Sequence, residues 1–185
     1  EPIKAINILY DGTVAGMNLA ALNQAVIAGV LKAQNPDVNL VSAPVVAKDK
    51  GIQISTTRQE KTGVFDAYIK VTMVTDKRER SVAGTCFSDG KPRFIQIKGI
   101  NVDAEIGEHM LYTANADVPG IIGLLGNTMG KNNVNIANFT LGRSGVGKEA
   151  IAILYLDQAI DPKVIETLQL TGMFQSVRAL QFEVA

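Results

Sequence analysis

The stretch from residue 112 to residue 143 constrains the fold of this chain most strongly. It is predicted to hold the end of a strand, a polar loop closed by Pro119 and Gly120, a glycine-spaced helix and a second strand. The second half as a whole predicts strands at 109–114, 134–142, 149–156 and 176–184, and helices at 119–131 and 161–170. Because this βαββαβ order is that of the ferredoxin-like arrangement, the second half is predicted to adopt it.

The helix predicted at 119–131 carries glycine on one side and aliphatic residues on the other. Helical periodicity places Gly123, Gly126 and Gly130 on one face. The opposite arc is formed by Ile121, Ile122, Leu124, Leu125 and Met129. Since glycine costs about 1 kcal/mol relative to alanine in a helix, this face needs an explanation. Either it is tolerated or packed closely within the chain, or another protein layer approaches it. A phosphate-binding loop is rejected, because Gly130 and Lys131 end a helix and do not precede Ser or Thr.

The first half is predicted to be a mainly antiparallel sheet with helices on one side. Strands are expected at 3–10, 38–41, 52–57, 64–74, 81–87 and 93–98, and helices at 17–34 and 43–50. In the first strand Ile6, Ile8 and Tyr10 alternate onto one face, which is typical of a half-buried strand. Residues 58–63 are predicted to form a polar loop, and 99–108 a polar linker that contains the domain boundary. We therefore expect an α+β chain with domains at 1–104 and 105–185.

Composition excludes several function classes. The chain of 185 residues has 18 basic and 18 acidic residues, and this balance argues against nucleic acid or an anionic membrane as a partner. Its single cysteine, Cys86, is predicted to be buried, and with the single histidine, His109, it supplies too few ligands for a metal site. No catalytic constellation is present, no apolar run is long enough to span a membrane, and no charged leader precedes an apolar run. A cytoplasmic location is expected.

A constellation of polar residues around the central helix is the best candidate binding site. Asn115 and Asp117 follow the first strand of the second half, and Asn135 begins the strand after the helix. Their amide and carboxylate groups suit the ammonium of an amino acid, and the backbone N–H groups of Gly120 and Ile121 suit its carboxylate. The alternative is structural, since Asp and Asn also cap helices and form turns. Asp117 in particular is positioned to cap a helix that begins directly after it.

Several motifs resemble a known family. The run 117–123 (DVPGIIG), followed by 133–138 (NVNIAN) and 141–143 (LGR), resembles an ACT domain, the amino-acid-sensing βαββαβ module. In the first half, motifs at 38–44, 47–48, 51–52, 81–85 and 99–103 resemble the allosteric substrate-binding domain of D-3-phosphoglycerate dehydrogenases of the long form. The resemblance covers nearly the whole chain and implies the regulatory, C-terminal part of such an enzyme.

The resemblance also implies ligands and partners. The parent would oxidise 3-phosphoglycerate with NAD in L-serine biosynthesis, through upstream catalytic and nucleotide-binding domains that are not in this chain. ACT domains of this family pair between subunits and bind L-serine at the interface, and the matching positions here are Asn115, Asp117 and Asn135. Serine-inhibited members carry histidine or tyrosine at the position of Asn115. In the first domain the family uses basic residues for an anion, where Arg93 matches and Lys98 is a possible substitute.

Two alternatives stay open from the sequence. The regulatory part of an iron–sulfur L-serine dehydratase resembles the same two-domain tandem, and a free-standing amino-acid-sensing module would need no parent enzyme. In each case the chain itself is expected to be non-catalytic and to carry no cofactor. Self-association is expected in all of them, because an ACT sheet has an edge strand that a second copy can pair with.

Overall fold

The computed structural model describes residues 1–60 and 63–183, and the chain divides into two compact units, Glu1–Cys86 and Phe87–Ala185. Lys61 and Thr62 of the predicted polar loop lie outside the described residues, as does Val184 at the end of the predicted last strand. The predicted domain boundary between residues 104 and 105 is not tested by this division into compact units, so it stays a prediction. None of the helices within the described ranges is both long enough and apolar enough to cross a bilayer.

The first unit is a mainly antiparallel sheet with two helices. Its elements are β1 (Ile3–Gly12), a short 3-10 helix (Thr13–Gly16), α1 (Ala20–Lys32), α2 (Ala43–Asp49), β2 (Gln53–Gln59), β3 (Ala67–Thr75) and β4 (Glu79–Cys86). The strand order is β2-β1-β3-β4, in which only β2 runs parallel to β1. The alternation of Ile6, Ile8 and Tyr10 predicted the core correctly, because all three are buried in one cluster with Leu31 of α1 and Ala47 of α2. The α+β class is confirmed.

The strand predicted at 38–41 is wrong, because local side chains hold this segment in a turn. The Oδ1 atom of Asn39 accepts hydrogen bonds from the backbone N–H groups of Val41 and Ser42, both at 2.9 Å. The Oγ atom of Ser42 accepts in return from the N–H of Asn39 at 3.0 Å. Asn and Ser side chains compete with ladder hydrogen bonds in this way, and here they lead directly into α2.

The second unit contains the predicted βαββαβ order. It comprises β5 (Pro92–Ile97), β6 (Ile100–Glu105), β7 (His109–Ala116), α3 (Ile121–Lys131), β8 (Ile136–Arg143), β9 (Glu149–Leu156), α4 (Pro162–Leu170) and β10 (Phe174–Gln181). Strands β7 to β10 form an antiparallel sheet in the order β10-β7-β9-β8, which leaves β8 at an edge. Residues of α3 and α4, including Leu125 and Leu168, share one buried cluster with Leu111 and Leu154 of the sheet. Both helices therefore cover the same sheet face.

The polar linker predicted at 99–108 is wrong, because β6 occupies most of it. Lys98 and Gly99 have φ of 54° and 79°, so a two-residue turn with positive φ at both positions joins β5 to β6. Ile100 and Ala104 are buried in small clusters with residues of β7 and β9, on the sheet face opposite the helices. The intervening Asn101 and Asp103 made this segment look like a linker, although the alternation is that of a strand covering one apolar surface.

The glycine face of α3 is open within the described chain. Side chains added at Gly123, Gly126 or Gly130 would meet no atom of the described residues within 4 Å, which excludes close packing of this face against them. The apolar arc is narrower than predicted, since Ile121, Leu125 and Met129 are buried whereas Ile122 is 54% exposed. Tolerance on an open face and approach by a second protein layer are the explanations that remain.

Candidate functional site

An open cavity of about 410 Å³ lies at the N-terminal end of α3. Its walls come from the end of β7, the loop into α3, the first turn of α3, the end of β8 and the hairpin that follows. The lining residues are Asn115, Asp117, Val118, Pro119, Gly120, Ile121, Ile122, Leu141, Arg143, Val146 and Ala150. The structure therefore brings together four of the five predicted ligand-binding residues: Asn115, Asp117, Gly120 and Ile121.

Asn115 is a buried polar residue of this cavity with one unsatisfied atom. It lies on β7 opposite Ala150 of β9 and is only 1% exposed. Its Nδ2 donates to the backbone oxygen of Ala116 at 2.7 Å. Because a carbonyl oxygen only accepts hydrogen bonds, the Asn115 atom that faces Ala116 must be the amide nitrogen Nδ2. The orientation of the carboxamide is therefore fixed, and Oδ1 is its remaining polar atom. Among the described residues Oδ1 has no hydrogen-bond partner, so a side chain that lines the cavity carries a buried, unsatisfied acceptor.

Asp117 ties the loop before α3 to the β8–β9 hairpin. Its Oδ2 lies 3.2 Å from Nη1 of Arg143 and accepts from the N–H of Gly147 at 3.3 Å. The N–H of Asp117 donates to the oxygen of Lys148 at 2.7 Å. The carboxylate thus already has two donors, and its side chain is only 16% exposed. Asp117 does not cap α3, which begins later, at Ile121.

The start of α3 offers backbone donors to the cavity. Gly120 is the N-cap, with φ of 96°, and no side chain of residues 1–60 or 63–183 caps the helix. A positive φ of this size strains residues other than glycine, which explains why glycine follows Pro119. The N–H groups of an uncapped first helical turn have no intrahelical partners, and the helix dipole adds partial positive charge. An anion at this end of the cavity would therefore be stabilised.

The remaining walls are aliphatic and largely exposed. They comprise Val118, Ile122, Leu141 and Val146, with Val146 85% exposed. Sequence reasoning missed Leu141, Arg143, Val146 and Ala150 as cavity residues. The LGR motif and the glycine-flanked hairpin were the available signals, but neither shows that β8 ends beside the start of α3.

Asn135, the fifth predicted residue, lies away from this cavity within one chain. It immediately precedes β8, and its Nδ2 donates to Oδ2 of Asp157 at 2.6 Å. Arg143 at the cavity is the last residue of the same strand. At about 3.3 Å per residue, the two positions are about 26 Å apart.

The two predicted anion-binding cations are already paired with carboxylates. Arg93 lies 3.4 Å from Asp89, 3.6 Å from Asp103 and 3.9 Å from Glu105, and its guanidinium stacks 4.8 Å above the Phe87 ring. In the part of the chain that the structure describes, this pairing leaves no excess positive charge around Arg93 to attract an anion.

Lys98, at the β5–β6 turn, is ion-paired with Glu149 at the start of β9. Anion binding at Arg93 and Lys98 stays a prediction, and it requires carboxylates to be displaced.

Two groups near Arg93, the carboxyl group of Asp89 and the ammonium group of Lys91, have perturbed pKa values. The backbone N–H of Lys91 donates to the carboxylate of Asp89 at 2.9 Å, and this bond chiefly lowers the pKa of Asp89. Glu105 accepts from Nζ of Lys91 at 2.8 Å and raises the pKa of that lysine. Both shifts favour the charged forms, which is the behaviour of a solvated ion-pair cluster.

Metal and thiol chemistry gain no support from the geometry. Within 1–60 and 63–183, no group of three or more His, Cys, Asp and Glu side chains is arranged to hold a metal ion. Cys86 was predicted to be buried but is exposed, because β4 ends at this residue. His109 lies 3.7 Å from Glu108 at the start of β7.

The family model and two of the curated relatives carry the name of one enzyme. The model of the D-3-phosphoglycerate dehydrogenase intervening domain matches residues 1–98. A D-3-phosphoglycerate dehydrogenase of Bacillus subtilis is 32% identical over 91% of this chain and 32% of its own length. The protein of the same name from Archaeoglobus fulgidus is 30% identical over 90% of this chain and 32% of its own length.

One relative with a different name matches this chain over most of its own length. The probable L-serine dehydratase beta chain of Bacillus subtilis is 23% identical over 91% of this chain and 76% of its own length. By contrast, the chain spans about a third of the length of the dehydrogenases it matches. Because the family model covers just over half of the residues, this chain belongs to the D-3-phosphoglycerate dehydrogenase intervening-domain family.

Proposed function

We propose that this chain is the regulatory part of an NAD-dependent D-3-phosphoglycerate dehydrogenase of L-serine biosynthesis in the cytoplasm. The dehydrogenase names of the relatives support this assignment. About two thirds of the length of those relatives has no counterpart here, and we assign the NAD-dependent reaction to that remainder. The chain alone then binds no cofactor and turns over no substrate.

The second unit is proposed to be an ACT domain that binds L-serine or a related small amino acid. The observation that carries this proposal is that Asn115, whose buried Oδ1 has no partner among the described residues, lines the same cavity as the uncapped start of α3. An ammonium group satisfies the buried acceptor, and a carboxylate suits the helix N-terminus. The α-amino acid headgroup carries both groups on one carbon, and an apolar wall leaves room for a small side chain.

A second copy of the chain is proposed to complete the site. Strand β8 is a sheet edge, and antiparallel pairing with the same strand of another copy satisfies its outer backbone groups. If this pairing is centred on Phe139 and Thr140, Asn135 of one copy lies opposite Ser144 of the other, next to Arg143. This symmetric arrangement brings Asn135 to the cavity of the partner and accounts for its distance from the cavity of its own chain.

Isothermal titration calorimetry with L-serine tests the binding proposal. The wild-type chain should bind, and Asp117→Ala and Asn135→Ala should each abolish the signal. Arg178→Met, an exposed change on β10, is the matched control and should bind normally. A flat titration of the wild-type dimer would refute serine sensing. Light scattering that shows only monomer at high concentration would refute completion of the site by a second copy.

A spectrophotometric assay for NADH tests the assignment of the reaction. The chain mixed with 3-phosphoglycerate and NAD should form no NADH. Measurable oxidation by the chain alone would contradict our division between regulatory and catalytic parts.

The L-serine dehydratase is a second candidate parent, favoured by the relative of which this chain covers 76%. That coverage also keeps open a free-standing amino-acid-sensing module, because the matched region makes up most of that relative. The coding sequence upstream of Glu1 separates these alternatives. An NAD-binding glycine fingerprint followed by a catalytic histidine supports the dehydrogenase, whereas its absence favours one of the others.

A further inference from the structure

Arg143 is a positively charged residue of the cavity to which neither the motifs nor the family resemblance gave a role. Among the described residues that line the cavity, it alone carries positive charge. It ends β8, and its side chain is 52% exposed although it contacts Asp117. Exposure of this kind leaves the guanidinium accessible to a ligand while the carboxylate restrains its position.

The hydrogen bonds at the cavity indicate different roles for Asp117 and Arg143. The Oδ2 of Asp117 is satisfied by Arg143 and Gly147 within the chain, so this oxygen does not need a ligand donor. A guanidinium has five N–H donors, and the contact with Asp117 is made by Nη1. Arg143 therefore keeps donors in a planar fork, the geometry that binds a carboxylate with two parallel hydrogen bonds.

On the basis of the proposed amino-acid site, we propose that Arg143 binds the ligand carboxylate together with the start of α3. Asp117 is then a positioning residue, which holds the guanidinium and the β8–β9 hairpin against the loop before α3. The ammonium group is bound by Oδ1 of Asn115, the buried acceptor without a partner. The cavity thereby selects zwitterionic α-amino acids over amines and amides that lack the carboxylate.

Calorimetry with L-serine and L-serinamide on the full chain tests this proposal, because the two probes differ only at the carboxyl group. The wild-type chain should bind L-serine about 10- to 100-fold more tightly than L-serinamide, the range expected for a charge-assisted contact. Arg143→Met should lose this preference by weakening L-serine binding while leaving L-serinamide binding nearly unchanged. Arg143→Lys, which keeps the charge but not the fork, should retain part of it. Arg178→Met should retain all of it.

Asp117→Asn tests the positioning role. It should lower the preference for L-serine in the wild-type background and have no further effect on that preference in Arg143→Met. A merely structural role would weaken both probes equally in both backgrounds. Circular dichroism checks that each variant is folded.

The outcomes separate this inference from the proposed function. The role of Arg143 is overturned, and serine sensing stands, if the wild-type chain prefers L-serine but the Arg143→Met variant does not lose this preference selectively. The variant would then either keep the preference or lose affinity for L-serine and L-serinamide by the same factor. If the wild-type chain binds neither probe, serine sensing fails and the role of Arg143 fails with it.

Discussion

Gly142 of β8 lies where the β5–β6 hairpin crosses the sheet, and replacing it with alanine should destabilise the second unit. A methyl group at this position would lie 2.6 Å from the backbone oxygen of Asn101 and 2.7 Å from Cγ1 of Val102. A side chain can rotate away from such a contact, but a backbone oxygen moves only with its strand. Gly142→Ala therefore forces β6 away from β8 or distorts both strands.

The expected loss is about 2 kcal/mol. Overpacking of a core costs about 1 to 3 kcal/mol, and contact with backbone places this site in the upper part of that range. The intrinsic advantage of alanine over glycine in a strand offsets about 0.5 to 1 kcal/mol of the cost. The net value is large relative to the stability of a domain of this size.

Urea denaturation followed by circular dichroism measures this effect. Gly29→Ala is the matched control, because the same substitution in the middle of α1 meets no atom within 4 Å. It should stabilise the first unit by about 1 kcal/mol through helix propensity. If Gly142→Ala is as stable as the wild-type chain while Gly29→Ala behaves as expected, the hairpin does not lie against the sheet as described.

Three further outcomes are expected. Gly126→Ala on α3 should raise the free energy of unfolding of the monomer by about 1 kcal/mol, measured in urea, if the glycine face is solvent-exposed. Loss of the dimer, detected by light scattering, would instead place a second copy against this face. Asp161→Ala should cost about 1 kcal/mol in the same assay, because the Asp161 side chain accepts from the N–H of Lys163 at the start of α4. Glu105→Gln should lower the raised pKa of Lys91, followed by NMR of the Nζ group. Because that pKa is raised, the Lys91–Glu105 pair stabilises the folded state fully at pH values below the unfolded-state pKa of lysine, and this stabilisation is lost as pH rises through the folded-state pKa. An unchanged pKa of Lys91 in the variant would contradict the pairing.

The fold could be predicted where local signals agree with tertiary structure. The start of α4 is one example: a helix is predicted from residue 161, where an acidic residue followed by proline is a local start signal, and the Asp161 side chain caps α4 in the structure. The β8–β9 hairpin is another, because Gly147 adopts the positive φ of 70° that a tight connection requires. In both cases the tertiary structure agrees with the signal of a few neighbouring residues, so the local pattern was sufficient.

The errors arose where distant contacts or competing side chains decide the structure. Strand β6 was missed because its apolar positions, Ile100 and Ala104, gain their meaning only from the sheet face that they cover. The segment at 38–41 is predicted as a strand because its two valines favour strands, whereas in the structure the side chain of Asn39 forms a turn.

The candidate site shows the same division. Asn115, Asp117 and Gly120 lie close together in the sequence, so their shared loop was sufficient to group them. Arg143 reaches the cavity through the register of β8 against β9, which no local pattern specifies. The pairing of Arg93 with three carboxylates was hidden for the same reason, because Asp103 and Glu105 come from the strand that was missed.

The most direct test of the central claim is an NMR titration of the isotope-labelled chain with L-serine. Our account predicts saturable shifts of the backbone amides of Gly120 and Ile121, the side-chain amide of Asn115 and the guanidinium of Arg143. Amides of the first unit, such as those of α1, should not move. The absence of shifts at millimolar L-serine, or saturable shifts confined to residues outside the cavity, would contradict the account.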